Sequence, residues 1–318
     1  MKSKRISFND LSQYMVVISI VLVFGIFAVL NPNFLSPYSL QNLLTEISPL
    51  VLLAGGLSFI IFTGGIDLGA GAMVSATCVI SGLYVSRFGN GILPVMLVIG
   101  FFLGLLNGVI VTKLKIPSFI VTLCTQNLWA FIALYFCPNG SVAVGMDFRK
   151  EIAWMTDKVF GIPIIFIVAI AAVIVLYIFQ QYTSSGRSIF AVGANIRAAR
   201  LAGVNTDRAQ IMAFVVSGAC SSLAGALYAY KQKSAVPTIG DALTLSAIAS
   251  IALGGTSMAG GRGSVLRTSV GVVTITAITS GLNMMGVDPL WKDIIIGVIL
   301  IVAVYLNSDT KGRDIIVK

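Results

Sequence analysis

The residues able to do chemistry in this chain are few, and most sit inside apolar runs. Asp67 lies in Thr63-Gly64-Gly65-Ile66-Asp67-Leu68-Gly69-Ala70-Gly71, without a charged neighbour, at a glycine-rich joint between two apolar stretches. An unpaired carboxylate in hydrocarbon is costly, so it must face the bundle interior or water, cap a helix start, or pair with a base. The Gly-Ala-Gly run favours a helix cap at a break between spans. A part in gating or coupling, and a direct contact with a substrate, stand beside that reading. Glu46 and Asp293 fall in the first turns of their expected spans, where a carboxylate suits a helix start. Asn107, Gln126, Asn127 and Asn283 are uncharged polar groups in or at the edge of apolar runs. They either bond across helices or line a path for a polar solute. Trp129, on the same run as Gln126, suits stacking on an apolar ring face as well as plain packing.

Several chemistries are excluded. The chain has no histidine, which removes histidine metal ligands, His-based triads and a histidine pH switch. Cys78, Cys124, Cys137 and Cys220 follow no metal or redox spacing and read as small buried side chains. No metal site and no catalytic set can be assembled. The run Gly254-Gly255-Thr256-Ser257-Met258-Ala259-Gly260-Gly261-Arg262-Gly263-Ser264 is glycine-rich, but G-x-x-x-x-G-K-[ST] occurs nowhere in the chain. Any energy from ATP must therefore come from another polypeptide.

The elements that position these residues are helices in a membrane. Of 318 residues, 57% are hydrophobic and only 10% charged, too little polar surface to solvate a folded soluble body. Mean hydropathy is +0.96. A span needs roughly 20 apolar residues. The runs 11–30, 43–62, 69–84, 92–111, 119–137, 162–179, 211–228, 243–254, 265–280 and 291–306 predict about ten transmembrane helices in one all-α permease domain covering 1–318. Gly100, Gly104 and Gly108, spaced by four, put a smooth stripe on one helix face for close helix packing.

Charge gives the orientation. With the N-terminus inside, fourteen basic residues fall in the cytoplasm: Lys2, Lys4, Arg5, Lys113, Lys115, Arg187, Arg197, Arg200, Arg208, Arg262, Arg267, Lys311, Arg313 and Lys318. Seven fall outside: Arg87, Arg149, Lys150, Lys158, Lys231, Lys233 and Lys292. That bias predicts both termini in the cytoplasm. It also makes 138–161 a periplasmic loop with room for a short interfacial helix, and 180–210 a basic cytoplasmic loop suited to a partner. The net charge of +9 thus orients the chain in lipid and does not signal nucleic acid.

Taken in order, six segments resemble a known family. They are Gly64-Gly65-Ile66-Asp67-Leu68 with Gly71; Gly186-Arg187 with Ala191-Val192-Gly193-Ala194-Asn195; and Ala198-Ala199-Arg200-Leu201-Ala202-Gly203-Val204. Then come Ala247-Ile248-Ala249 leading into Leu253-Gly254-Gly255-Thr256-Ser257, Gly260-Gly261-Arg262-Gly263, and Gly281-Leu282-Asn283-Met284-Met285-Gly286-Val287. The chain is similar, over about 31–306, to permeases of bacterial ATP-driven (ABC) importers of the ribose, xylose and galactose type.

The resemblance implies a type II importer bundle in the bacterial inner membrane. It implies a second permease copy or related permease, a cytoplasmic ATPase that binds ATP and magnesium, and a periplasmic solute-binding protein. The chain itself would need no cofactor. Gly193, Asn195, Arg197, Ala198, Ala199, Arg200, Ala202 and Gly203 fall in the family's coupling segment. Two departures stand out. Thr244 and Ser246 occupy places where the family often has acids before its Ala-Ile-Ala stretch, which joins them to the candidate pathway. Ile196-Arg197 follows Asn195 where an acid or polar residue is usual. The expected function is ATP-coupled passage of a small polar solute, a monosaccharide first. An ion-coupled secondary transporter is the alternative, although it would normally carry more ionisable groups deep in the membrane than Asp67.

Overall fold

The computed structural model describes the backbone of residues 8–307, and the side chains of 19–305 apart from Asp147 and Pro289. Helix α1 (Phe8–Leu30) leads into α2 (Pro37–Phe62). Pro37 opens α2 because a missing amide costs nothing at a helix start, and the Ser36 hydroxyl accepts from the Ser39 amide at 3.2 Å. α3 (Ala70–Phe88) and α4 (Ile92–Leu114) are joined by a 3-10 turn at Gly89–Gly91. α5 (Ser118–Phe136) follows, then α6 (Met146–Ala153), α7 (Ile164–Tyr182), α8 (Ser184–Ala194) and α9 (Ile196–Leu201). The chain closes with α10 (Thr206–Gln232), α11 (Leu243–Leu253), α12 (Val265–Met284) and α13 (Pro289–Asn307). Two-residue strands β1 (Val142–Ala143) and β4 (Ser234–Ala235) pair antiparallel, as do β2 (Lys158–Val159) and β3 (Ile162–Pro163).

α2 and α10 form the centre. In their most apolar windows 83% and 72% of residues are buried, against 22% for α5 and 28% for α7, which leaves the latter two on the periphery. Close approach in lipid needs small residues. The stripe Gly100, Gly104 and Gly108 of α4 lies directly against α10: a Cβ at Gly104 would fall on the Phe214 carbonyl, and one at Gly108 would sit 2.9 Å from the Ile211 Cα.

The span count needs correction. Among the described residues, six helical stretches are long and apolar enough to cross a membrane, not about ten. The runs 69–84 and 92–111 form one 45-residue helical stretch, interrupted only by the 3-10 turn. The run 243–254 is the 11-residue α11, far short of a 30 Å hydrocarbon layer at 1.5 Å per residue. The first run lies partly outside the residues whose side chains are described, and its remainder, Ser19–Leu30, is a short apolar helix. α13 covers the last run but falls outside the six. Hydropathy registers apolar content, and in this fold some of that content covers other helices and does not face lipid. Glu46 moves as well. Because α2 begins at Pro37, Glu46 lies in its third turn and not its first, paired with Lys231 of α10. Cys124 is exposed on α5, unlike the other three cysteines.

The bundle has two chemically distinct ends. At one, Phe62 of α2 meets Gly193 of α8 and Gly261, Lys113 pairs with Asp207 at 3.5 Å, and Gln180 of α7 accepts from the Val265 amide at 2.9 Å. At the other, Tyr230 and Trp154 both donate to Asn90, and Lys158 donates to Gln41. The short helix expected within 138–161 is α6, at this second end. Lys2, Lys4, Arg5, Lys311, Arg313 and Lys318, and both chain termini, lie outside the described residues.

Candidate functional site

Between α2 and α3 the chain leaves helical geometry and runs beside α5. The Ile66 amide donates to Ser118 Oγ at 2.9 Å and the Leu68 amide to Thr122 Oγ1 at 3.1 Å, one helical turn further along α5. Gly69 abuts the Thr122 carbonyl and the Gln126 amide. α3 therefore begins roughly 6–12 Å inside the bundle end that Ser118 marks. Asp67, 3% exposed, turns back at this point, and its Oδ1 accepts from the Gly69 amide at 2.8 Å. The carboxylate thus satisfies a donor at the start of α3 that has no intrahelical partner.

A second break meets this one. After β4 the chain passes along α3, from Gly82 beside Ala235 to Gly71 beside Gly240, roughly 16 Å at 1.5 Å per residue. The Gly240 amide donates to Ser75 Oγ at 2.8 Å and the Gly71 amide to Thr244 Oγ1 at 3.0 Å. Gly71 and Gly240 touch backbone to backbone, and any side chain at either would collide with the other's carbonyl. Two helix N-termini, those of α3 and α11, are thereby brought together inside the bundle. Both starts carry the partial positive charge of a helix N-terminus, and the hydroxyls of Ser75, Thr122 and Thr244 accept from the backbone amides around them.

Below the break, a cleft of about 860 Å³ extends from Thr63–Gly65 and Ser118 to α9 and the start of α10. α9 is short but locked at both ends. Asn195 Oδ1 accepts from the Arg197 and Ala198 amides, each at 3.0 Å. At the other end Gly203 takes φ +82°, and the Val204 amide closes on the Ala199 carbonyl at 3.0 Å. Arg200 Nη2 donates to Thr206 Oγ1 at 3.1 Å, tying α9 to α10.

Residues 39–304 match a protein family described as the branched-chain amino acid transport system / permease component. The chain is 34% identical to the ribose import permease of Bacillus subtilis, covering 96% of both chains. It is 31% identical to the ribose import permease of Escherichia coli K12 and 33% identical to that organism's galactose/methyl galactoside import permease, in each case over 92% of both chains. The chain belongs to this permease family. No solved structure gives a significant match.

The permease is a multi-pass transport subunit and not an enzyme. Its structure brings together only some of the residues singled out above. Asp67 and Thr244 accept from the Gly69 and Gly71 amides at the start of α3, the backbone amide of Gln126 lies beside Gly69, and Ser246, 7% exposed, follows on α11 with its hydroxyl donating to the Ala242 carbonyl. Asn107 is 1% exposed in α4, and neither of its amide atoms has a protein partner. Trp129 is buried against Met73, Ala76 and Ala133, with its indole N–H unpartnered. Asn127 is exposed and donates to Leu123 of its own helix. Asn283 stands apart at the far end, bonded to Lys292 beside the Glu46–Lys231 pair.

The coupling stretch also divides. Ala199 is 5% exposed and packed in the permease's own core, and Gly193 lies against Phe62, so both face inward. Asn195, Arg197, Ala198, Arg200, Ala202 and Gly203 are exposed, with Leu201 at 91%. Sequence reading passed over Ser75, Ser118, Thr122 and Gly240, which hold the breaks in place. Small hydroxyl residues in apolar runs are common, and only their long-range partners set these apart.

Proposed function

We propose that this permease is the membrane-spanning subunit of an ATP-driven importer for a monosaccharide. The supporting observation is its likeness, over more than nine-tenths of its length, to ribose and galactose/methyl galactoside import permeases. A periplasmic solute-binding protein delivers the sugar, a cytoplasmic ATPase holds ATP and its magnesium, and a second permease completes the pathway in the bacterial inner membrane. Both termini, and the 180–210 segment, face the cytoplasm. The sugar passes the paired breaks, where Asp67, Gln126, Thr244 and Ser246 gather beside two helix starts; Asn107, Asn127, Trp129 and Asn283 are the further pathway candidates.

Energy reaches the breaks through α9. Its exposed face, Arg197, Ala198, Leu201 and Ala202, docks on the ATPase, while Ala199 and the Arg200–Thr206 bond carry the motion into α10 and the cleft below Asp67. Replacing Leu201 by Glu puts a charge on that face without touching the core. Leu201→Glu is expected to insert and fold like the parent, yet lose co-purification with the ATPase, sugar-stimulated ATP hydrolysis and uptake. If it transports like the parent, and permease free of ATPase carries the sugar down an ion gradient, the ion-coupled reading replaces this one.

A further inference from the structure

A cleft of about 240 Å³ opens at the second end of the bundle, between α2, α10 and α12, and none of the residues at the paired breaks lines it. Among the described residues, every side chain on its wall is polar and only two are charged. Those two are already matched: Lys231 of α10 pairs with Glu46 of α2 at 2.5 Å, and the ammonium also stands 5.4 Å from the centre of the Tyr228 ring. Only 14% of the Lys231 side chain is exposed, so the pair is held in place. A wall whose charges cancel gives an ion little net attraction, and a zwitterion would have to split the pair.

What the wall offers is neutral hydrogen bonding of both kinds. Thr45 and Thr279 donate their hydroxyl hydrogens to the Gln41 and Thr276 carbonyls of their own helices, which leaves the two oxygens as acceptors. Asn283 Oδ1 accepts from Lys292, which leaves its Nδ2 hydrogens as donors. Asn42 and Ser280 bond to no described residue through their side chains. A ligand hydroxyl both donates and accepts, so neighbouring hydroxyls satisfy such a wall, whereas an apolar ligand would leave it bare. The volume holds roughly eight waters at about 30 Å³ each, the room of one small ring. We propose that this cleft is an outer subsite for a single neutral monosaccharide, held through its hydroxyls before it reaches the paired breaks. The inference rests on the sugar-importer reading above.

The test is thiol protection in the purified full-length permease. Ser280→Cys places a thiol in the cleft, in a background that carries Cys124→Ser. Its reaction with a charged methanethiosulfonate reagent is timed alone and with D-ribose, D-galactose, L-leucine or choline chloride at matched concentrations. A bound sugar is expected to slow the reaction about fivefold at about four times its Kd, since the free fraction is 1/(1 + [L]/Kd). Leucine and choline should leave the rate unchanged. Adding Thr279→Val and Asn283→Leu removes polar groups from the wall without touching the ion pair, and should abolish the protection. Asp157→Cys, outside the cleft, should react equally fast with and without sugar. Saturation-transfer NMR of the same sugars on the parent reads the binding without any substitution at Ser280.

Equal rates with and without both sugars overturn the proposal, and so does protection that survives Thr279→Val with Asn283→Leu. Protection by leucine or by choline in preference to the sugars assigns the cleft to an amino acid or a cation and overturns it as well. ATP-driven uptake of ribose and galactose by the assembled importer, measured in parallel, separates the two readings. Uptake without protection keeps the importer and removes the subsite, whereas protection without uptake keeps the subsite and removes the importer.

Discussion

Asp67 holds its place through one short bond, and the chemistry of that bond sets what each substitution does. Its Oδ1 accepts from the Gly69 amide in a site only 3% exposed. Asparagine retains an acceptor oxygen at the same reach, so Asp67→Asn should insert, fold and transport at least in part. Leucine leaves the amide bare, and Asp67→Leu should cost about 1 kcal/mol at the start of α3. Thermal unfolding of the purified permease and sugar uptake in cells check both. An Asn variant that folds like the parent yet is as inactive as the Leu variant would move Asp67 from a capping role to one that needs its charge. Thr244 illustrates the same economy. Its hydroxyl accepts from the Gly71 amide at 3.0 Å.

Helices in this bundle are held by the absence of side chains as much as by their presence. α4 meets α10 through glycines whose missing Cβ atoms leave backbone against backbone. Gly104→Leu must push α4 away from Phe214, and it should lower stability by at least the upper end of the usual overpacking cost of about 1–3 kcal/mol. A fall in the melting temperature of the detergent-solubilised permease would show it. Gly297→Ala is the control on α13, where a new Cβ meets nothing within 4 Å. It should leave the melting temperature unchanged or raise it slightly, through a helix-propensity gain of up to about 1 kcal/mol. Equal losses from both substitutions would mean that glycine flexibility, and not close packing, is what α4 needs.

For the whole molecule, the charge pattern and the tertiary contacts agree on a partition. Lys113, Arg187, Arg197, Arg200 and Arg267 belong to elements gathered at one end, and Lys158, Lys231 and Lys292 to the other. If the first end faces the cytoplasm, a cysteine replacing Asp157 should react with an impermeant thiol reagent added outside intact cells. A cysteine replacing Arg197 should react only after the membrane is opened. The background should lack Cys124, which is exposed on the surface of α5. Reversed labelling would invert the orientation and remove α9 from the ATPase side.

Composition alone decided that this chain lives in lipid, because 10% charged residues cannot solvate 318. Local pattern decided more: the glycine joint at Asp67, the smooth stripe on α4 and the small-residue stretch that became α9 are all written in adjacent residues. What local pattern could not carry was anything that depends on a distant partner. Hydropathy counted 243–254 as a span because it is apolar, yet α11 is buried by α2, α12 and α13 and starts inside the bundle. Ala199 reads like its neighbours Ala198 and Ala202, but only the packing of α9 on α10 turns it inward. The pairing of Gly71 with Thr244 and of Ser75 with Gly240 joins residues more than 160 positions apart. Side-chain type fixes what a residue is able to bond, whereas which donor stands opposite is set only when the chain has closed on itself.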